Sequence, residues 1–344
     1  MKFITGKTRR ELREEFEGEG VEPYRADQVL RWIYKKHVYD FSCMTDLPKA
    51  LRVKLKNEYR VSSLSLFKRI DGADATKFIF RVHDGELLET VLIKERDHWT
   101  LCVSSQIGCA VGCKFCATAL NGLRRNLDVH EIVDQFLQVR NITGASIRNV
   151  VFMGMGEPLA NYINVRKAVE IMISGWGLDL SKRRVTVSTS GFIKLIEKMA
   201  KDPVLREVNL AVSVNAGDQR TREKLMPIAS TNPLNELICA LVRFPVSNYR
   251  RITLEYVLIR GVNDSESDAR NLAKLIRGFR KRFKVNLIPY NDHHLLAYER
   301  PSLESVLRFQ RVLWDNGIST FVRFSKGYDV FGACGQLNTF ASVV

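Results

Sequence analysis

The sequence is short of several things that a protein of its size often carries, and each shortage excludes a class. No uninterrupted apolar run approaches the ~20 residues that a membrane-crossing helix requires. The opening stretch Met1-Lys2-Phe3-Ile4-Thr5-Gly6-Lys7-Thr8-Arg9-Arg10 lacks the apolar centre of a secretory signal. Cysteine is sparse and odd in number, seven in 344 residues with three crowded together, which does not suit a secreted disulfide framework. These absences point to a reducing, cytoplasmic setting without a membrane. Acidic residues are also in deficit, 38 against 53 Lys and Arg, a net charge of +15. That surplus favours polyanions through phosphate contacts and counterion release, although charge alone also fits a merely soluble basic protein.

What is present centres on three cysteines. Cys109, Cys113 and Cys116 stand in the spacing C-x3-C-x2-C. Iron–sulfur cubanes are held by cysteine thiolates, and a full set is four. Three ligands leave one iron open to a small molecule, as open metal positions do in catalytic sites. A structural zinc site would pair two C-x2-C elements or add histidines at fixed spacing, and no second C-x2-C exists here. The alternative to an enzyme is therefore a basic RNA-binding protein with an atypical structural zinc.

Residues 1–74 read as a small helical accessory domain. Val29, Trp32 and Ile33 share one helical face, and Thr45-Asp46-Leu47-Pro48 is a helix start signal. Leu51, Val53 and Leu55 alternate with Arg52, Lys54 and Lys56, which also suits a strand. Basic residues beside Trp32, Tyr34 and Tyr59 could touch RNA or form a solvated helix face. Strand character follows at 78–82 and 87–93, flanking the hairpin signal His83-Asp84-Gly85, and again at 99–103. Beyond the cysteines, apolar runs at 149–153, 184–188, 208–213, 252–257, 285–289 and 319–323 alternate with helical patterns. Strands alternating with helices imply right-handed crossovers and a parallel sheet. Six such units are too few for a closed eight-stranded barrel. The fold class is α/β, an open partial (β/α)6 barrel over residues 75–344.

In a βα barrel the active site gathers at the C-terminal ends of the strands. Gly154-Met155-Gly156-Glu157-Pro158 ends the first run after the cysteines, where glycines admit a ligand and a carboxylate or carbonyl can hold an ammonium group. Ser188 ends the second and Ser213-Val214-Asn215 the third, with groups suited to ribose and carboxylate or to capping the next helix. Cys334 sits between Gly332 and Gly335, glycines that predict a mobile loop; a lone cysteine is otherwise a small buried hydrophobe. Cys102 passes as a strand core residue, and Glu89 as the outward-facing member of an alternating strand. Cys43 and Cys239 read as structural, and the basic groups 182–184 and 277–284 as solvated charge runs. Arg124 and Arg125 follow the cysteines and could meet phosphates.

Residues 100–109, Gly154 to Pro158 and Gly332-Ala333-Cys334-Gly335-Gln336-Leu337 resemble the RlmN family of radical S-adenosylmethionine RNA adenine C2-methyltransferases, over most of the chain and in the same order. The related Cfr enzymes, which methylate adenine C8, share the architecture. The resemblance implies a radical-SAM barrel with a [4Fe-4S] cluster on Cys109, Cys113 and Cys116. It implies S-adenosylmethionine, two per turnover, held by Gly156, Glu157, Ser188, Ser213, Val214, Asn215 and, on the adenine side, Asn291. The family usually carries histidine where Asn215 stands, and a Pro- and Gly-rich loop where this chain has Asp292-His293-His294-Leu295-Leu296. By the same resemblance Cys334 is methylated, a 5′-deoxyadenosyl radical activates its methyl group, Glu89 is the general base, and Cys102 resolves the protein–RNA link by forming a disulfide. The implied partners are 23S ribosomal RNA, transfer RNA and an electron donor such as flavodoxin, with the protein a monomer.

Overall fold

A computed structural model describes residues 2–247 and 250–338. Three helices open the chain: α1 (Arg9–Gly18), α2 (Tyr24–Tyr34) and α3 (Lys49–Glu58). A reciprocal cap starts α1, with Glu11 N–H on Thr8 Oγ1 at 3.3 Å and Thr8 N–H on Glu11 Oε2 at 2.8 Å. The 51–55 stretch is helix, not strand. Leu51 and Leu55 are buried while Val53 is 55% exposed, so the period of 3.6 prevails over the alternation.

Ten strands form the main sheet. β1 (Ser65–Asp71), β2 (Ala75–Arg81) and β3 (Leu87–Lys94) are antiparallel neighbours, with the expected turn between β2 and β3. β4 (Trp99–Cys102) pairs antiparallel with β3 and parallel with β5 (Ile147–Phe152). From there β6 (Val185–Thr189), β7 (Asn209–Ser213), β8 (Ile252–Leu258), β9 (Phe283–Pro289) and β10 (Thr320–Val322) add on in order, all parallel. All six expected runs after the cysteines are strands, and β4 joins them as the first of seven parallel strands. Six crossovers connect the seven: α4 (Val129–Thr143), α5 (Tyr162–Ile173), α6 (Ile193–Lys201), the pair α7 (Gln219–Leu225) and α8 (Leu234–Arg243), α9 (Glu266–Ile276) and α10 (Leu303–Asp315). The sheet order runs from β10 to β1 without closing, so the architecture is an open partial (β/α)6 barrel.

The N-terminal helices share the barrel's core: Ile4, Leu12 and Phe16 belong to the same buried cluster as Ile132, Phe136 and Val165. Each such side chain, fully buried, stabilises by about 1.5–3 kcal/mol. Asp134 of α4 fixes the linker between α3 and β1, accepting from Ser62 Oγ (2.9 Å), Ser63 N–H (2.7 Å) and Leu64 N–H (2.8 Å). The last six residues of the expected barrel domain, 339–344, lie outside the described residues. Among the described residues, no helix is long and apolar enough to cross a membrane.

Candidate active site

After β4 the chain forms a two-stranded ribbon, Gln106–Gly108 against Leu123–Asn126, which closes the cysteine loop. Gly108 has φ +73°, and a Cβ there would stand 1.9 Å from the Gly122 carbonyl oxygen, so only glycine allows the crossing. Cys109, Cys113 and Cys116 line one pocket with Phe115, Met226 and Tyr290. Burial pushes the Cys109 thiol up to about 12 and raises Cys113 and Cys116 as well. Bare thiolates are disfavoured there, so three of them together require a cationic partner. Three soft sulfur donors facing an open pocket fit an iron–sulfur cluster. Among the described residues no three His, Cys, Asp or Glu side chains surround a single ion position. A four-iron cluster with four thiolate positions makes no such demand.

The strand ends complete the pocket. Gly156 has φ +98°, and a Cβ there would meet Gln106 Cβ at 2.5 Å. That closeness lets Glu157 N–H reach Gln106 Oε1 at 2.7 Å. The buried Glu157 carboxylate accepts from Leu159 N–H at 3.0 Å and from both Ser190 N–H and Ser190 Oγ at 2.7 Å. It therefore ties the end of β5 to the end of β6, while burial raises its pKa. Ser188 and Ser213 line the pocket, and Val214 is buried behind it with its N–H on the Glu255 carbonyl at 3.0 Å. Asn215 is in the left-handed region (φ +56°), accepts from Val257 N–H at 2.8 Å and points its amide at Met226 Sδ (3.1 Å). Its side chain braces β8.

Sequence reasoning missed Arg222. Fully buried, it donates to the carbonyls of Ser190 (2.8 Å), Val214 (3.2 Å) and Ser213 (3.3 Å), knitting the ends of β6 and β7. The sequence marks it only as one more arginine in the polar stretch 218–224.

A second cavity adjoins the first. Val91 of β3 pairs with Cys102 on one side and Lys77 on the other, and Glu89 lies two residues away on the same face. Glu89 is thus fully buried, with Lys77 Nζ 3.6 Å from its carboxylate; the outward-facing reading is corrected. The tail folds over this face. Leu337 packs beside Val91, Cys102 and Met155, and Lys77 Nζ reaches the Phe331 carbonyl at 3.4 Å. Cys102 and Cys334 line this cavity together, and Cys334 also lines the cluster pocket.

The expected mobile loop around Cys334 is pinned instead. Asn291 Nδ2 donates to the Cys334 carbonyl (3.0 Å) and to Ser325 Oγ (2.9 Å), and its buried Oδ1 has no partner among the described residues. Ala117 N–H donates to Gly335 O (2.8 Å), and Thr118 Oγ1 to Leu337 O (2.7 Å). The glycine before Cys334 serves close packing, since a Cβ on Gly332 would press on Val91 and Val330 at 3.3 Å.

The implied disulfide is not present in this structure: all seven cysteines are free, with Cys43 and Cys239 exposed and apart from the site. Burial pushes Cys102 up to about 12 and raises Cys334; Arg323, in the same cavity, opposes both shifts. Arg323 was also missed, although a charged residue directly after the last strand was the signal available. Arg125 is engaged internally, bidentate on Glu131 (2.8 Å each) and on Asp84 (2.6 Å), and Arg124 pairs with Glu86.

Two family models match the chain. "Ribosomal RNA large subunit methyltransferase N-terminal domain" covers residues 4–61 and "Radical SAM superfamily" residues 103–273. A probable dual-specificity RNA methyltransferase RlmN of Aquifex aeolicus (strain VF5) is 62% identical over 340 residues, 98% of each chain. The chain belongs to the RlmN family. A dual-specificity RNA methyltransferase RlmN of Desulfosudis oleivorans is 45% identical over 338 residues, 97% of this chain and 90% of that one. The crystal structure of a radical SAM methyltransferase from Sphaerobacter thermophilus superimposes with a TM-score of 0.93 at 40% identity, covering 98% and 99% of the two chains. The RlmN assignment thus spans both the helical N-terminus and the barrel.

Proposed function

We propose that this radical S-adenosylmethionine enzyme methylates C2 of adenine in 23S ribosomal RNA and in transfer RNA through a methylated cysteine. Cys334 carries the reading, because it lines both the pocket of the three loop cysteines and the cavity of Cys102. A one-carbon carrier needs that double placement, loading in one pocket and release by a second thiol in the other. Adenine C2 is an electrophilic amidine carbon, so it has no lone pair with which to take a methyl group directly. When bound, a [4Fe-4S] cluster on Cys109, Cys113 and Cys116, together with two S-adenosylmethionines per turnover, supplies the methyl group and the radical chemistry.

The chain's own residues do the rest. Gly156, Glu157, Ser188, Ser213, Val214, Asn215 and Asn291 hold the cofactor's ends. Cys334 takes the methyl group on sulfur; one hydrogen atom of that methyl would pass to the radical that the bound cofactor supplies, and its carbon then bonds to C2, linking protein and RNA, with one electron returned to the cluster as the C2 proton leaves. Glu89 removes the C2 proton, its charge balanced by Lys77 at 3.6 Å. The Cys102 thiolate attacks Cys334 sulfur. A disulfide forms, the carbon–sulfur pair leaves with the carbon, and that carbon takes a proton to become the methyl product. Reduction of the disulfide by a cellular thiol resets the pair, and a donor such as flavodoxin supplies the electron. Residues 1–74 act as an accessory RNA contact in a cytoplasmic monomer.

Mass mapping of modified nucleosides after anaerobic turnover tests the reading: 2-methyladenosine supports it and 8-methyladenosine overturns it. A colourless protein with stoichiometric zinc and no iron would overturn it too.

A further inference from the structure

Beside the Glu89 face lies a third cavity, lined among others by His293, His294, Phe331, Lys68 and Lys77. It is built from aromatic rings in contact. The His293 and His294 rings stack at 4.6 Å and 20°, and Phe331 meets them edge-on at 5.9 and 6.0 Å. His293 is buried at the base of the stack, while His294 and Phe331 are open to solvent. Phe331 has φ +50°, costly for a bulky side chain, three residues before Cys334. The tail holds it there: its N–H donates to Tyr328 O (3.2 Å) and its carbonyl accepts from Lys77. The cavity also carries Asp329, whose carboxylate accepts from Ala73 N–H at 2.9 Å, and the exposed Lys68. Lys77 is thus shared between this cavity and Glu89.

We propose that this cavity receives the nucleobase of a nucleotide next to the target adenine, stacked on His294 and Phe331. The inference rests on the RNA-methylating reading above. A base that reaches Cys334 and Glu89 has left its own stack, so its neighbour also needs a new surface. Single-stranded RNA is recognised by aromatic side chains on which displaced bases stack, in a basic surround. Burial lowers the pKa of His293, so the lower ring is a neutral platform.

The test uses iron-loaded holoenzyme and a fragment of large-subunit ribosomal RNA that the wild type methylates, intact or abasic immediately 5′ or 3′ of the modified adenine. His294→Ala is expected to raise KM for the intact RNA roughly fivefold or more. Its kcat, iron content and RNA-free methylation of Cys334 should be unchanged, and His294→Phe should restore KM. One of the two abasic RNAs should raise the wild-type KM by a similar factor yet add nothing on top of His294→Ala. An unchanged KM, fully multiplicative effects at both positions, or loss of iron or of Cys334 methylation in His294→Ala would each overturn the proposal. A wild type that methylates no RNA would overturn the underlying reading and this inference with it. A wild type that methylates without the coupling overturns only the inference.

Discussion

The cluster pocket and the thiol cavity share Cys334 yet are built in opposite ways. The cluster pocket takes its three cysteines from one eight-residue loop and its walls from successive strand ends, each fixed by the barrel repeat. The thiol cavity draws on β3, β4, β5, β9 and β10 and on a tail more than 200 residues beyond β4. Its two thiols and its charged groups Glu95, Arg323 and Lys326 come from segments far apart in sequence, so no local spacing sets them. A local site survives small displacements of distant segments, whereas a site built across the chain depends on every staple that holds the tail.

The contrast can be broken by substitution. The largest effect is expected in the cluster pocket, where Cys116→Ala should remove iron and abolish RNA methylation while the fold remains, as read by iron analysis and circular dichroism. Next comes Cys102→Ala, which should leave one protein–RNA adduct per enzyme and stop turnover there, visible as a shifted band on a denaturing gel. Free multiple turnover by that variant would remove Cys102 from the mechanism. Lys77→Met should destabilise by about 3–5 kcal/mol in a denaturant melt, because it removes the cation 3.6 Å from the buried Glu89 carboxylate. The double variant Lys77→Met/Glu89→Gln should regain most of that stability and stay inactive.

The electrostatics give a smaller, graded effect. Burial holds the Cys102 thiol near 12, so the reactive thiolate is a minor form at neutral pH. Its fraction grows about tenfold per pH unit below that value, and decay of the wild-type adduct should accelerate accordingly from pH 7 to 9. A flat profile would assign the slow step elsewhere. The smallest change in stability is expected for Asn291→Ala, which removes the Cys334 tether at a cost of about 1 kcal/mol in addition to weakening S-adenosylmethionine binding. Faster amide exchange confined to residues 333–337 would register it.

Much of the barrel and the cluster pocket was legible because both are periodic or local. Six apolar runs at regular intervals implied the parallel strands, and Cys109, Cys113 and Cys116 carry their spacing in one stretch. The 51–55 helix was ambiguous because its apolar residues fit two periods at once, and only burial of Leu51 and Leu55 decides between them. Glu89 and Lys77 could not be read as a buried pair, since an alternating strand gives no sign of what covers its polar face. Arg222 and Arg323 escaped for a related reason: their roles are defined by carbonyls and thiols on other strands. The glycine before Cys334 misled, suggesting motion where tight packing required it.

One feature of the tail bears on how the protein comes to be folded at all. The bonds that seat it join residues very far apart in sequence: Thr118 to Leu337 across 219 positions, Lys77 to Phe331 across 254, and Ala73 to Asp329 across 256. Contacts of such separation reward the chain only after the largest loops have closed, so they form late and open early. The barrel and its cysteine loop can therefore stand before the thiol pair does. A folding chain would pass through a stage able to take iron but unable to carry a methyl group, and competence would arrive with the last staple.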